Sequence, residues 1–444
     1  MTTVAKRRIS HRAKSARTIT EGLIALIRAK PVTDADLAAA ALYSLDAIAC
    51  AAGGMHTDPG RKLLAWSANR PMDAGRNAFL LGGLTHILEI DDLHRGGVVH
   101  PGCVVVPAVH ALTDAKSDAR RALTAVLHGF EAMTRVGMAV GPAHYKVWHN
   151  TATCGPFGSA MAAAALLGLD DAQTMNALGN AGTQSSGLWQ FLATGAMSKH
   201  LHAGRAAEAG VVAAELAAQG FTGPPAILEG RQGFFAAACP DADPDAVLRA
   251  PNAPWQLHTT SIKPWPSCRH THPAIDAALS LSRQIDPKAI AQIQVTTYQA
   301  ALDVCDRPQP ASEYEAKFSL QHCVAYALAA NKIDFESFGE SARALARPSA
   351  RDVKLRAGEP YASDYPAAWG GEVAVTLKDG ARHVEIRPHA KGDPEAALDR
   401  TEMLAKAAML LEYAGIENAA DVVAKTRGFP RLELTDPPRI TGSA

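Results

Sequence analysis

The chain has 444 residues, of which 48% are hydrophobic and 20% are charged, and its 44 basic side chains balance 44 acidic ones. This composition is typical of a soluble globular protein. It excludes a disordered chain and predicts neither a nucleic-acid nor a membrane partner, because a neutral protein generates no long-range field. The length exceeds one simple core, so we expect two domains, with any anionic ligand held by a local cluster of cations.

Six basic side chains and no acidic one occur in the first 17 residues. No apolar stretch follows them, so we expect no secretory signal, whereas an organellar transit peptide and a solvated basic tail both remain open. No apolar run approaches the roughly 20 residues that cross a bilayer, which predicts no membrane-spanning segment. The seven cysteines are scattered without Cys-X-X-Cys spacing. They predict reduced thiols and a cytoplasmic protein.

Apolar residues recur at helical spacing from about residue 18 to residue 251, so helices dominate this part of the chain. Thr33 and Asp36 form the pattern of a helix start, and good helix formers follow until two glycines at residues 53–54. Further helices are predicted over residues 119–140, 158–169, 171–187 and 204–219.

Beyond residue 264 the pattern becomes mixed, with helices predicted over residues 273–284 and 315–330 and strands over residues 290–298, 372–377 and 383–387. The last two strands form a hairpin through an Asp-Gly turn. Ala-rich helices return over residues 399–415 and 418–426. We therefore predict a mainly α protein, with a large all-helical domain (residues 1–265 with 397–444) and a smaller α+β domain (residues 266–396).

Most ionisable residues suited to chemistry lie in segments that end apolar, helix-like stretches. These segments are HILEIDD (86–92) leading to HPG (100–102), GPFG (155–158), KHLHAGRA (199–206) and KPWPSCRHTH (263–272). In this order, and followed by EAKFSLQ (315–321), they resemble the MmgE/PrpD family over nearly the whole chain.

The resemblance implies a ferredoxin-like or chorismate-mutase-like small domain, an active site in the cleft between the domains, and a homodimer. It also implies chemistry on a small di- or tricarboxylate without a cofactor. The sequence agrees with the last point, since it contains no dinucleotide-binding glycine motif, no P-loop and no cluster of Cys and His ligands.

Removal of a proton next to a carboxylate requires a positioned base, and cations that stabilise the charge that develops. Lys199 and Lys263 are candidates to anchor substrate carboxylates or act as base, and His100 and His149 match histidines of the family. Exposed lysines and structural histidines are the alternatives. The predicted catalytic residues are Lys199, His149, His100, Cys268 and Asp92, and the predicted substrate-binding residues are Lys263, Glu89, Arg269, His202 and His322.

Glu89 and Asp92 lie three residues apart, so on a helix they would share a face and could orient a histidine, bind a hydroxyl or act as acid and base; helix capping is the alternative. A Cys268 thiolate could be stabilised by Arg269, or the thiol could be inert. The His-X-His pairs at residues 200–202 and 270–272 occur in turn-to-helix segments, where the two rings diverge, so we predict no metal site.

Three positions depart from the pattern of dehydratase and decarboxylase members of the family, which have Asp, Thr and His where this chain has Glu89, Leu93 and Cys268. Epimerisation needs only two groups that exchange the α-proton, whereas dehydration also needs an acid for the leaving hydroxide. We therefore expect an epimerase similar to iminodisuccinate epimerase. A lyase similar to 2-methylcitrate dehydratase or aconitate decarboxylase is the alternative, and a non-catalytic dimeric carboxylate-binding protein is a third possibility.

Overall fold

The computed structural model describes residues 18–350, 352–435 and 438–442, so the basic N-terminal segment lies outside the described residues. The first half of the chain is almost wholly helical, as predicted. Its helices are α1 (Ile19–Ala29), α2 (Asp34–Met55), α3 (Asp58–Ser67), α4 (Ala74–His86), α5 (Gly102–Ala111), α6 (Ala119–Ala139), α7 (Pro142–Tyr145), α8 (Asn150–Leu167), α9 (Asp171–Gly182), α10 (Ser198–Ala218) and α11 (Phe234–Ala238). Two short strands, β1 (Leu93–His94) and β2 (Thr260–Ser261), pair antiparallel.

Helix α10 is the centre of the helical core and packs against both α4 and α8. Glycines permit these close crossings. A Cβ atom at Gly204 would lie 2.5 Å from the carbonyl oxygen of Phe79, and one at Gly210 would lie 2.1 Å from the Ser159 hydroxyl. The crossings fix the N-terminal end of α10, which carries Lys199, against the end of α4.

Two helix starts differ from the prediction. Helix α8 begins at Asn150 rather than at residue 158, because Pro156 is accommodated inside the helix. Helix α10 begins at Ser198 rather than at residue 204, which places Lys199, His200 and His202 in its first turns. The residues chosen from the sequence as candidates therefore project from a regular helix.

The second half of the chain contains a four-stranded sheet with the order β4-β3-β5-β6. Its strands are β3 (Ile290–Thr297), β4 (Val353–Ala357), β5 (Gly371–Leu377) and β6 (Arg382–Arg387). Strands β3 and β4 run parallel, and the other pairs are antiparallel. The predicted β5–β6 hairpin is confirmed, and Gly380 in its turn has φ +88°. Strand β4 was missed because most of its side chains are exposed or half-buried, which leaves no apolar pattern.

The helices of this half are α12 (His272–Leu281), α13 (Gln299–Cys305), α14 (Glu313–Lys317), α15 (Leu320–Ala330), α16 (Glu340–Ala350) and α17 (Tyr361–Asp364). The helix predicted over residues 315–330 is divided into α14 and α15 because the Ser319 hydroxyl accepts a hydrogen bond from the backbone N–H of His322 and caps α15. The chain ends with α18 (Arg400–Tyr413), α19 (Ala419–Lys425) and a hairpin of β7 (Pro430–Glu433) and β8 (Arg439–Gly442).

The buried apolar residues form two main clusters. One unites residues 23–257 with residues 407–432, because α18 packs on α2, and the other contains residues from the second half of the chain around the sheet. The protein is thus mainly α, whereas the domain boundaries at 265 and 396 and the topology class of the small domain remain predictions. Among the described residues, α2 is long and apolar enough to cross a membrane. Of its 18-residue apolar stretch, however, 72% is buried inside the protein, and a buried core helix can have the same length and composition.

Candidate active site

The segment that follows α4 carries most of the acidic side chains of the site. We expected Glu89 and Asp92 on one helix face, but α4 ends at His86 and Glu89 takes a left-handed conformation with φ 59°. Lys406 of α18 holds this turn, since its Nζ donates to the carbonyl oxygen of Ile90 at 2.7 Å. The same Nζ lies 2.6 Å from the Asp46 carboxylate of α2, so α18, itself anchored to α2, fixes the turn.

Lys199 forms a buried ion pair with Glu89, with its Nζ 2.6 and 2.5 Å from the two carboxylate oxygens. Lys263 approaches the same group, and its Nζ lies 4.0 Å from Glu89 and 3.9 Å from Asp91. Burial raises the pKa of Glu89, but the neighbouring Lys199, His86 and Lys263 together outweigh it, so the pKa falls to about 2. Burial lowers the pKa of Lys263. Two buried cations therefore meet two buried acidic side chains in one small volume.

Four histidines lie beside these charges. The Nδ1 of His86 lies 2.7 Å from an oxygen of Asp91. The ring centroid of His86 is 4.7 Å from that of His100 and 5.7 Å from that of His149. The Nδ1 of His149 is in turn 3.3 Å from Nδ1 of His202. Burial lowers the pKa of His86, His100 and His149 well below the usual value, and lowers that of His202 to about 4. All four rings are neutral at pH 7.

Asp92 contacts the start of α5 rather than the lysines. Both of its carboxylate oxygens accept from the backbone N–H of Gly102, at 2.9 and 3.1 Å. Burial and the neighbouring Asp91 raise the pKa of Asp92 well above its usual value. The Nδ1 of His100 lies 2.5 Å from the backbone carbonyl oxygen of Asp92. The Asp92 side chain thus caps α5, which is the alternative role considered from the sequence, and its backbone carbonyl oxygen positions His100.

Cys268 reaches the site from the other half of the chain. Its backbone N–H donates to the carbonyl oxygen of Lys317 at 2.8 Å, and the adjacent Phe318 ring lies 5.6 Å from Lys199 Nζ. A hydrogen bond with the Cys305 thiol lowers the pKa of Cys268, and the Lys199 charge adds to this effect. The half-buried thiol is therefore more acidic than an ordinary cysteine.

Two predicted residues do not meet this cluster. Arg269 forms an ion pair with Asp393, with 2.5 Å between Nη2 and Oδ1. His322 Nε2 lies 2.8 Å from the carbonyl oxygen of Ser337, and the ring lines a separate cavity of about 160 Å³ together with Arg343. The remaining predicted residues come together, namely Lys199, Lys263, Glu89, His100, His149, His202, Cys268 and, through its backbone, Asp92.

The sequence missed the His86–Asp91 pair, although both residues lie in the motif that carried the resemblance. Residues five apart do not face each other on a helix, so no periodic signal linked them. The left-handed turn at Glu89 reverses the chain and brings the two side chains together. The available signal was a histidine at the end of a helix followed by three acids within six residues.

His86, Asp91 and Cys103 have potential ligand atoms within 4.8 Å of one another. This set does not suit a metal ion, because Lys263 lies 3.9 Å from Asp91 and burial raises the pKa of Cys103, which keeps its thiol protonated. A second group, His389, Asp393 and Glu395, is engaged by arginines, with Arg95 2.6 Å from Glu395. The absence of a metal requirement stays a prediction.

Comparisons with known proteins agree with the resemblance seen in the sequence. Residues 22–247 match the MmgE/PrpD N-terminal domain, and residues 265–427 match the MmgE/PrpD C-terminal domain. Human cis-aconitate decarboxylase is 27% identical over 78% of this chain and 75% of its own length. A cis-aconitate decarboxylase-like protein of Aspergillus oryzae is 26% identical over 89% of this chain and 81% of its own. The Aspergillus terreus cis-aconitate decarboxylase is 26% identical over 67% and 66%. The chain belongs to the MmgE/PrpD family.

Proposed function

We propose that this protein is a cofactor-independent lyase that decarboxylates or dehydrates a small polycarboxylic acid, with an unsaturated tricarboxylate such as cis-aconitate as the first candidate substrate. One arrangement carries the proposal: the buried ammonium groups of Lys199 and Lys263 lie within 4.0 Å of Glu89. Neutral histidines lie beside them. The names of the relatives support a lyase over the epimerase that we expected from the sequence.

The two lysines supply the charge that the reaction needs. Loss of carbon dioxide, or of an α-proton, leaves an electron pair that is delocalised into a neighbouring carboxylate. Lys199 and Lys263 stabilise that dianionic group, and burial strengthens the interaction because little water screens it. A substrate carboxylate competes with Glu89 for Lys199, so Glu89 keeps the lysine oriented until the substrate arrives.

The histidines transfer the proton. In the free enzyme their rings are neutral, so they accept protons rather than donate them. A polycarboxylate adds negative charge beside them and raises their pKa, so a ring that takes up a proton can deliver it to the carbon that gains the electron pair. Among the histidines predicted from the sequence, His100 and His149 are the candidates for this role. The proposal includes a homodimer, as the family resemblance implies.

An epimerase is the second candidate, and Cys268 favours it. Its thiol has a lowered pKa and lies in the second half of the chain, near enough for the Lys199 charge to act on it, whereas the histidines come from the first half. A thiol and a histidine acting on one carbon would suffice to remove an α-proton and return it to the other face.

Proton NMR in deuterium oxide, with cis-aconitate, 2-methylcitrate and iminodisuccinate offered separately, distinguishes the candidates. A decarboxylase converts cis-aconitate to a dicarboxylate with a new terminal alkene, and a dehydratase forms an alkene from 2-methylcitrate. Deuterium at the α-carbon of iminodisuccinate with inversion and no alkene would establish the epimerase instead. Binding of an acid without any turnover would contradict both and favour a carboxylate-binding protein.

A further inference from the structure

His86 is the most deeply buried histidine of the site, with no accessible surface. Its Nδ1 lies 2.7 Å from Asp91, whose carboxylate accepts the ring N–H. Its Nε2 is buried and has no hydrogen-bond partner among the described residues. An unpartnered ring nitrogen in the interior costs free energy, so its retention in the middle of a charged cluster points to a use.

The surroundings keep this nitrogen available as a base. Asp91 fixes the tautomer that has the proton on Nδ1, which leaves the lone pair on Nε2. Burial and the Lys199 charge lower the pKa of His86 well below its usual value, so the ring is neutral at pH 7. The other titratable groups that act on the ring are Glu89, His200, Lys263, His100 and His149.

We propose that His86, oriented by Asp91, is a further catalytic residue of the site and transfers the proton to or from the reacting carbon. This inference rests on the proposed function. In an elimination, Nε2 accepts the proton from carbon as the C–H electron pair forms the alkene, and the imidazolium returns the proton to the leaving hydroxide as water. In a decarboxylation, Nε2 first takes up a proton from solvent when the substrate anion binds. The bond from carbon to the leaving carboxylate then breaks, carbon dioxide departs, and the ring gives this proton to the carbon that receives the electron pair. Asp91 stabilises the imidazolium in both reactions.

The test compares His86→Gln, Asp91→Asn and the double variant on the acid that the wild-type protein converts. We expect His86→Gln to lower kcat at least 100-fold with KM within threefold, because general acid–base groups contribute factors of about 10² to 10⁴. Asp91→Asn should lower kcat at least tenfold, and the double variant should be no slower than His86→Gln. Retention of more than a third of kcat by His86→Gln, or multiplicative losses in the double variant, would overturn the inference.

The matched control is His128→Gln. His128 is half-buried with a buried, unpartnered Nδ1, but it stacks on Trp255 away from the cluster, so its variant should keep full activity. Nitrogen-15 NMR of the wild-type protein gives a second readout that needs no variant. A neutral His86 ring with an unprotonated Nε2 is expected in the free protein at pH 7, and a proton on Nε2 there would contradict the proposal.

An inactive wild-type protein would overturn the proposed function and this inference together, whereas an active His86→Gln variant would overturn this inference alone.

Discussion

Two groups of buried histidines in this protein share a lowered pKa and differ in their hydrogen bonds. His144 and His94 use both ring nitrogens. His144 contacts the Ala238 carbonyl oxygen and the Thr153 hydroxyl, both at 2.8 Å, and His94 accepts from a backbone N–H and contacts Gln256. In the site, His86 uses one nitrogen only.

An unpartnered ring nitrogen marks a functional histidine only within the charged cluster, because His128 also has an unpartnered Nδ1 but stacks on Trp255. Burial, with a smaller effect of Arg95, lowers the pKa of His94 to about 4, so a shifted pKa is no sign of chemistry in this protein. A buried nitrogen without a partner, beside two lysines, is the informative feature. The predictions below test this distinction, from the largest expected effect to the smallest.

Removal of the Lys199 charge should have the largest effect. Lys199→Met should lower kcat by about 10³-fold or more, because a buried cation stabilises the developing charge, and should also destabilise the fold by about 3–5 kcal/mol through the unpaired Glu89. The double variant Lys199→Met/Glu89→Gln should recover most of the stability and none of the activity. Urea unfolding and turnover measure the two effects, and recovered turnover in the double variant would contradict the catalytic role.

Stability should fall as the pH is lowered from 7.5 to 5.5. The unfolded histidines titrate near 6.5, whereas the buried ones stay neutral to lower pH, so the unfolded state alone gains protons in this window. Each such histidine should cost about 1.4 kcal/mol over the range. Because the pKa shift is common to both groups, His86→Gln and His94→Gln should reduce the pH dependence equally. A flat stability profile from urea unfolding would refute this explanation.

His144 should behave in the opposite way to His86. His144→Leu should destabilise the fold by about 2 kcal/mol, because it leaves buried hydrogen-bonding groups unpaired, and should leave kcat unchanged. His86→Gln should affect kcat far more than stability. Thermal unfolding and turnover of the two purified variants make the comparison, and a loss of kcat in His144→Leu would remove the distinction between the groups.

Citrate binding should be accompanied by uptake of up to about one proton near pH 6.5, because a polycarboxylate raises the pKa of the neutral site histidines. Calorimetry in two buffers with different ionisation enthalpies measures the uptake, which should be smaller at pH 8. Net proton release would show that the histidines are already charged in the free protein.

Much of the site was predictable from motifs, whereas the partners of its residues were not. Lys199, Glu89 and Lys263 lie far apart in the sequence and meet as expected. We predicted that Arg269 would join them because it follows Cys268 in the sequence. Its side chain instead pairs with Asp393, and no local sequence pattern connects these two residues.

The main error in the fold around the site was local. We predicted Glu89 and Asp92 on one face of a helix, but the left-handed backbone conformation of Glu89 excludes a continuous helix there. Helix periodicity predicts which residues share a face but not which residues a tight turn brings together. His86 was missed for this reason, whereas His149, the residue before α8, was found through the family resemblance.

A crystal structure of the protein with bound citrate would test the central claim most directly. We predict one citrate carboxylate within hydrogen-bond distance of Lys199 or Lys263, and the carbon chain facing Nε2 of His86. Citrate bound instead in the cavity lined by His322 and Arg343, with Glu89 still paired to Lys199 and the histidine cluster unoccupied, would contradict this account of the site.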